Sequence, residues 1–119
     1  MPGRYANIRS CRVYGITFAS KAEMNRYLIL RDMEQRGQIV GLEVHPHYDF
    51  VINGHKVGRG YTADFRYIVM KDSEHAGEFV EDVKGPVERD WPLRRDLFMA
   101  LYPSMRLLVN GKEVKAREA

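Results

Sequence analysis

Asp64, Asp82 and Lys84 have the types and spacing for metal-assisted hydrolysis. The run from Glu78 to Lys84 reads as a strand closed by Gly85-Pro86. Alternation along a strand puts Asp82 and Lys84 on one face and turns Val83 away. Asp64 sits in the preceding strand, within Tyr61-Thr62-Ala63-Asp64-Phe65. Consecutive strands joined by a short turn tend to pair, so Asp64 is expected beside Asp82. Two carboxylates about 4 Å apart repel by about 4 kcal/mol at an effective dielectric of about 20. A divalent cation offsets that repulsion. Asp64, Asp82 and the main-chain carbonyl of Val83 are the hard oxygen ligands that Mg²⁺ prefers, and Mn²⁺ is expected to substitute. The ion would polarise a phosphate and acidify its bound water. Lys84 would orient that water and stabilise developing negative charge. No organic cofactor is expected. The competing reading is a structural ion cluster on a solvated sheet face.

The elements that must position these residues are legible from local signals. Ser20-Lys21-Ala22-Glu23 fits a capping box that opens a helix. Met24, Tyr27, Leu28 and Arg31, widened by Leu30 and Met33, form its expected buried stripe. Gly37 is its expected stop. Strands are predicted over Ile39 to Val44 and Tyr48 to Ile52, with His45-Pro46-His47 as a bend between them. Asn53-Gly54 is a type I′ turn signal that reverses the chain into a strand from Val57 to Met70, weakened by Gly58 and Gly60. A second helix is predicted from near Asp90, with Pro92 in its first turn and Leu93, Leu97, Ala100 and Leu101 buried. Pro103 ends it, Met105 to Val109 is a last strand, and Asn110-Gly111 suggests a final turn. The fold class is therefore α/β: a mixed central sheet flanked by two helices, in the order αβββαβ. It forms a single domain over residues 1–119, with a loose arm over 1–11 and a frayed tail over 112–119.

Other residues invite chemistry less strongly. His45 and His47 have the spacing of a metal pair but lack a third ligand at a telling distance, and read as strand-end residues. Glu23 is explained by the capping box. Glu81 faces away from Asp82 and reads as a surface or core-edge residue, and Glu78 as solvent-facing. Gly58-Arg59-Gly60 enters a strand and so is not a phosphate loop. Tyr27, Trp91 and Tyr102 read as core rather than base-stacking platforms. Arg94 and Arg95 follow the catalytic strand and are candidates for backbone-phosphate contacts. Helical geometry aims Arg95 at solvent more directly than Arg94.

Composition bounds the partners. The chain carries 19 Lys and Arg against 16 Asp and Glu, a net charge of +3 that does not by itself imply nucleic-acid binding. Residues 89–106 are locally basic, with Arg89, Arg94, Arg95 and Arg106 against Asp90 and Asp96. Cys11 is the only cysteine, which excludes an intrachain disulfide and a cysteine metal cluster. No apolar run approaches the roughly 20 residues that span a bilayer, so no membrane partner is expected. The first twelve residues lack the apolar core of a signal peptide, and the expected location is cytoplasmic.

Asp64 followed after a hairpin by Asp82-Val83-Lys84 resembles the D…(D/E)-x-K motif of the PD-(D/E)XK nuclease superfamily, with Ala63 replacing the first proline. Phe18-Ala19-Ser20-Lys21-Ala22-Glu23, Gly41-Leu42-Glu43, Tyr61-Thr62-Ala63-Asp64-Phe65 and Val80-Glu81-Asp82-Val83-Lys84-Gly85 are similar to segments of small phage and prophage proteins. Leu97-Phe98 and Tyr102-Pro103 also match, so the resemblance runs from about Phe18 to Val109. Those proteins are described as endonucleases similar to Holliday-junction resolvases. The resemblance implies a restriction-endonuclease-like core, Mg²⁺-dependent cleavage of DNA, including branched DNA in phage recombination, and 5′-phosphate and 3′-hydroxyl products. It also implies an acidic residue near the metal on the helix before the sheet, which Glu23 matches. His45 departs from the glutamine expected before Pro46, and Pro86 and Trp91-Pro92 depart from the expected entry to the second helix. Symmetric cutting of a branched DNA by so small a chain would need a homodimer. A non-catalytic DNA-binding or assembly module of the same fold is the rival of another class. Restriction-type or exonuclease action on linear duplex is the rival within enzymes.

Overall fold

The computed structural model describes residues 11–70, 74–83 and 89–117. A small hairpin, β1 (Arg12–Val13) and β2 (Ile16–Thr17), precedes helix α1 (Lys21–Gln35). Ser20 caps α1 in extended conformation, and its hydroxyl accepts from the Glu23 N–H at 3.1 Å. Gly37 takes φ 77° as the helix closes, and the next N–H, from Gln38, reaches back to the Met33 carbonyl at 2.9 Å. Tyr27 and Leu30 are buried as expected, but Leu28 is exposed. The buried line of α1 runs through Glu23 instead, which puts a carboxylate on the face that meets the sheet. Arg31 stacks its guanidinium 3.8 Å over the Tyr14 ring.

Strand β3 (Ile39–Val44) leads through the short strands β4 (His47–Tyr48), β5 (Val51–Ile52), β6 (His55–Lys56) and β7 (Tyr61–Thr62) to β8 (Phe65–Val69). Asn53 and Gly54 both have positive φ in the β5–β6 hairpin, as a type I′ turn requires. The continuous strand expected over residues 57–70 is broken into β7 and β8. Gly58 and Gly60 adopt left-handed φ values of 64° and 75°, which a ladder does not accept. At Gly60 a Cβ would stand 2.3 Å from the Tyr48 carbonyl oxygen, so only glycine lets β7 lie against β4.

β9 (Gly77–Asp82), α2 (Trp91–Leu101), β10 (Met105–Val109) and β11 (Lys112–Val114) complete the chain. The main sheet has five strands in the order β11-β10-β9-β8-β3. β9 and β10 are parallel, joined across α2, and the other neighbours are antiparallel. The described residues therefore form a mixed α/β fold with a five-stranded mixed sheet and two helices. The expected core order αβββαβ is extended by one strand. Residues 112–114, expected to fray, pair with residues 107–109 across the Asn110-Gly111 turn. Cys11, placed in the loose arm, is buried in the core; residues 1–10 lie outside the described residues.

One core lies on the α1 side, from Phe18, Tyr27, Leu30, Ile39, Phe65, Tyr67 and Phe79. The other, from Tyr48, Tyr61, Val80, Phe98 and Leu107, lies on the α2 side. The central strand β9 is covered on both faces, so Phe79, Val80, Glu81 and Asp82 are all buried. The buried side of α2 differs from the expected stripe. Phe98 is fully buried among the Tyr48, Tyr61 and Tyr102 rings, whereas Leu93 is 64% exposed and Ala100 is exposed. An aromatic ring removes more apolar area from water than a leucine, so it sets the helix rotation. Leu97 and Leu101 still pack against this core.

Candidate metal centre

Four elements meet at one end of the sheet. Glu23 comes from the first turn of α1, His45 from the residue after β3, Asp64 from the link between β7 and β8, and Asp82 from the end of β9. Main-chain pairing fixes their relative heights. The His45 N–H donates to the Asp64 carbonyl at 2.9 Å, and the Asp64 N–H donates to the Glu81 carbonyl at 3.0 Å. Phe65 is in register with Glu81, so Asp64 and Asp82 become neighbours, as strand adjacency predicts. The Val83 N–H donates to Asp64 Oδ2 at 2.8 Å. The Asp64 and Asp82 carboxyls are themselves within hydrogen-bonding reach.

Glu23 resolves its two readings in a specific way. Half of the capping box forms, through the Glu23 N–H and Ser20. Its carboxylate does not complete the box; Oε1 lies 3.0 Å from His45 Nε2. Glu23 is 5% exposed, and its carboxyl stands close enough to Asp64 to raise that group above its ordinary value. One ligand atom from each of Glu23, His45 and Asp64 lies within 4.8 Å of the others. His45 was expected to be an ordinary strand end. His47 is one, with Nδ1 2.6 Å from Thr62 Oγ1 and Nε2 3.2 Å from Asp49 Oδ1. His45 instead takes φ 56°, a left-handed conformation that histidine enters more readily than most residues, and its ring belongs to the carboxylate cluster. The available signal was register: if β3 pairs with β8, the residue just after β3 falls opposite Asp64.

Asp82 is 6% exposed, and its Oδ2 accepts from the Tyr61 hydroxyl. Burial pushes the Tyr61 hydroxyl above its ordinary range, and the Asp82 charge adds to the shift, so Tyr61 remains a donor. Burial likewise raises Asp82. Asp64 is pushed up to about 7, chiefly by burial; the Val83 N–H opposes the shift, while Glu23 and Asp82 reinforce it. Among the described residues the cluster holds three carboxyl groups and one imidazole. Two hard oxygen donors and one nitrogen donor within reach of a single point fit a divalent cation. Such an ion would favour the ionised state that burial opposes.

Glu81, expected near the surface, is buried on the α1 face. Arg26 Nε and Nη2 donate to its two carboxylate oxygens at 2.8 Å each, and the Tyr67 hydroxyl donates as well. Arg26 lies one turn along α1 from Glu23, so this bridge ties the first turns of the helix to β9. Glu78 is partly buried against Arg66 rather than solvated, with an ion-pair distance of 2.6 Å. A cleft of about 390 Å³, lined by Arg26, Glu81, Asp82, Val83, Asn110 and Gly111, opens beside the site. Lys84, with Gly85 and Pro86, lies outside the described residues. Arg94 pairs with Asp90 at 2.8 Å and Arg95 with Asp96 at 3.4 Å. Their side chains are 26% and 28% exposed, so the two are almost equally solvated and the expected contrast between them is small. The rotation that buries Phe98 explains this, because it turns Leu93 outward.

No helix among the described residues is long and apolar enough to cross a membrane. No curated protein and no solved structure matches the chain. The family described as "Protein of unknown function (DUF1064)" matches residues 4–118, nearly the whole chain, and the protein belongs to that family.

Proposed function

We propose that the protein is a divalent-metal-dependent DNA endonuclease with a restriction-endonuclease-like core of the PD-(D/E)XK type. The observation that carries this reading is the convergence of Glu23, Asp64 and Asp82 at one end of a mixed sheet, with His45 beside them. Burying three carboxyl groups together is costly unless a cation or protons neutralise them. Asp64, Asp82 and the Val83 carbonyl, supported by Glu23, would hold Mg²⁺ or Mn²⁺. When bound, the cation polarises a phosphoryl oxygen and acidifies a water. The Tyr61 hydroxyl and the Val83 N–H fix the rotamers of Asp82 and Asp64, so the ligands are set before substrate arrives. Lys84 follows Asp82 at strand spacing and would hold the attacking water. A phosphodiester would approach through the cleft that Asp82 and Val83 line. Arg94 and Arg95 would contact flanking phosphates. Paired cuts in branched DNA would use a homodimer, each copy supplying one site.

The test is cleavage of matched four-way junction, flap, linear duplex and single-stranded DNA with Mg²⁺ or Mn²⁺, using wild type and Asp64→Asn. Junction or flap cleavage lost in the variant is the expected result. Cleavage of linear duplex alone would replace the branched-DNA assignment with a restriction-type or exonuclease one. Binding without cleavage of any substrate would leave a DNA-binding module.

A further inference from the structure

Glu23, His45 and Asp64 bring together two oxygen donors and one nitrogen donor, with His45 Nε2 3.0 Å from Glu23 Oε1. Two ligands each about 2.1 Å from one ion and at right angles stand about 3.0 Å apart. The imidazole and carboxylate therefore already have the spacing of an octahedral edge. All three donor atoms lie within 4.8 Å of one another, so an ion needs only small side-chain adjustments to be shared.

The position of His45 is as well determined as that of Asp64. Its N–H is bonded to the Asp64 carbonyl at 2.9 Å, and the Pro46 carbonyl accepts from the Ala63 N–H at 3.0 Å. Those two bonds straddle the two ligands, so the main-chain pairing that places one places the other. The Phe18 ring centroid lies 6.0 Å from that of His45 and flanks the imidazole. The His45 side chain is 41% exposed, which leaves the ring accessible from solvent.

We propose that His45 Nε2 is a direct metal ligand, and that it tunes this site toward first-row transition ions, Mn²⁺ and those after it, over Mg²⁺. The inference rests on the metal-dependent reading above and specifies which ion the site takes. Mg²⁺ gains little from exchanging an oxygen ligand for an imidazole. Mn²⁺, Fe²⁺, Co²⁺ and Ni²⁺ gain progressively more. A site of two carboxylates and one imidazole therefore discriminates where an all-oxygen site would not. Neither an Asp82 oxygen nor the Val83 carbonyl is needed for this selectivity, and both remain available to the same ion or to a second one.

The experiment is Mn²⁺ binding to the full chain without DNA, followed by electron paramagnetic resonance. Pulsed measurements detect nitrogen hyperfine coupling, and Mg²⁺ competition gives the affinity ratio. Wild type is expected to bind Mn²⁺ with imidazole nitrogen coupling. His45→Gln should keep Mn²⁺ but lose that coupling. Its Mn²⁺ affinity should fall about tenfold or more, and its Mg²⁺ affinity far less. His45→Asn, better suited to the left-handed backbone at this position, should give the same result and guards against a folding failure. Asp64→Asn should release the ion, which separates this site from other histidines. Mn²⁺ bound without nitrogen coupling, or an unchanged Mn²⁺-to-Mg²⁺ ratio in both His45 variants, would overturn the assignment while leaving the metal site standing. Absence of any Asp64-dependent Mn²⁺ binding would remove the metal site itself, and this inference with it.

Discussion

Replacing Asp64 with asparagine should make the metal-free protein more stable at alkaline pH, although it deletes a proposed ligand. Asp64 has an ordinary carboxyl value of 3.8 when unfolded and about 7 when folded, with burial as the main cause. The native state therefore holds a proton that the unfolded state has already released across that window. Stability from this group is fully present below the unfolded value and is lost as pH rises through about 7. The full shift corresponds to about 4 kcal/mol. Asp64 is only half-buried, so solvent screening reduces this to about 2 kcal/mol. Asparagine copies the protonated acid: its oxygen can accept from the Val83 N–H and its amide can donate to Glu23 or Asp82. Urea unfolding in the presence of a chelator, at about pH 4.5 and about pH 8, should show wild type losing about 2 kcal/mol more than Asp64→Asn. At the higher pH this corresponds to a melting temperature roughly 8 °C higher for the variant. Saturating Mn²⁺ should stabilise wild type at about pH 8, by about 2.7 kcal/mol at a concentration one hundred times the dissociation constant, and leave the variant unmoved. Parallel pH profiles for the two proteins would refute the reasoning. So would equal stabilisation of both by the metal.

Arg26→Ala should cost about 2–3 kcal/mol in chemical denaturation, because it strands the buried Glu81 carboxylate; Arg26→Ala/Glu81→Gln should recover much of that, and no recovery would show that the bridge is not what holds β9 to α1. Lys84→Ala should lower turnover far more than DNA affinity, and Lys84→Arg should not rescue it, since a planar guanidinium is a poor replacement for a compact ammonium; cleavage at the wild-type rate would remove Lys84 from the mechanism. Arg94→Ala/Arg95→Ala should weaken binding to every DNA sequence alike and flatten the log-affinity against log-salt slope by about 0.9 per lost duplex phosphate contact. Titration of a fluorescent junction with Ca²⁺ in place of Mg²⁺ reads this directly, and unchanged slopes would confine both arginines to contacts within the protein.

Local rules account for what was legible in the chain alone. The start and stop of α1 follow from Ser20 and Gly37, whose preferences act within a few residues of the helix end. Asn53-Gly54 and Asn110-Gly111 announce turns because both residues of each pair accept positive φ. The closeness of Asp64 and Asp82 follows from one short-range pairing, since the strands that bear them are consecutive. The α/β class follows from the same alternation of elements.

What needed the tertiary structure depends on which surfaces meet. Leu93 and Phe98 both satisfy a helical stripe, and only the Tyr48, Tyr61 and Tyr102 rings decide that α2 turns Phe98 inward and leaves Leu93 exposed. Glu81 becomes a buried residue because Arg26, fifty-five positions earlier, crosses over it with two hydrogen bonds. Residues 112–114 become a strand because β10 offers them an unpaired edge. Glu23 can cap its own helix or turn its carboxylate to other side chains, and the choice rests on His45 and Asp64, which are distant in sequence and adjacent in space. Residue type and spacing determine which groups have the right chemistry and the local conformation of the segments bearing them. Whether a carboxylate stands alone in water or beside an imidazole and a second carboxyl is decided by long-range packing, because burial and proximity belong to no single segment.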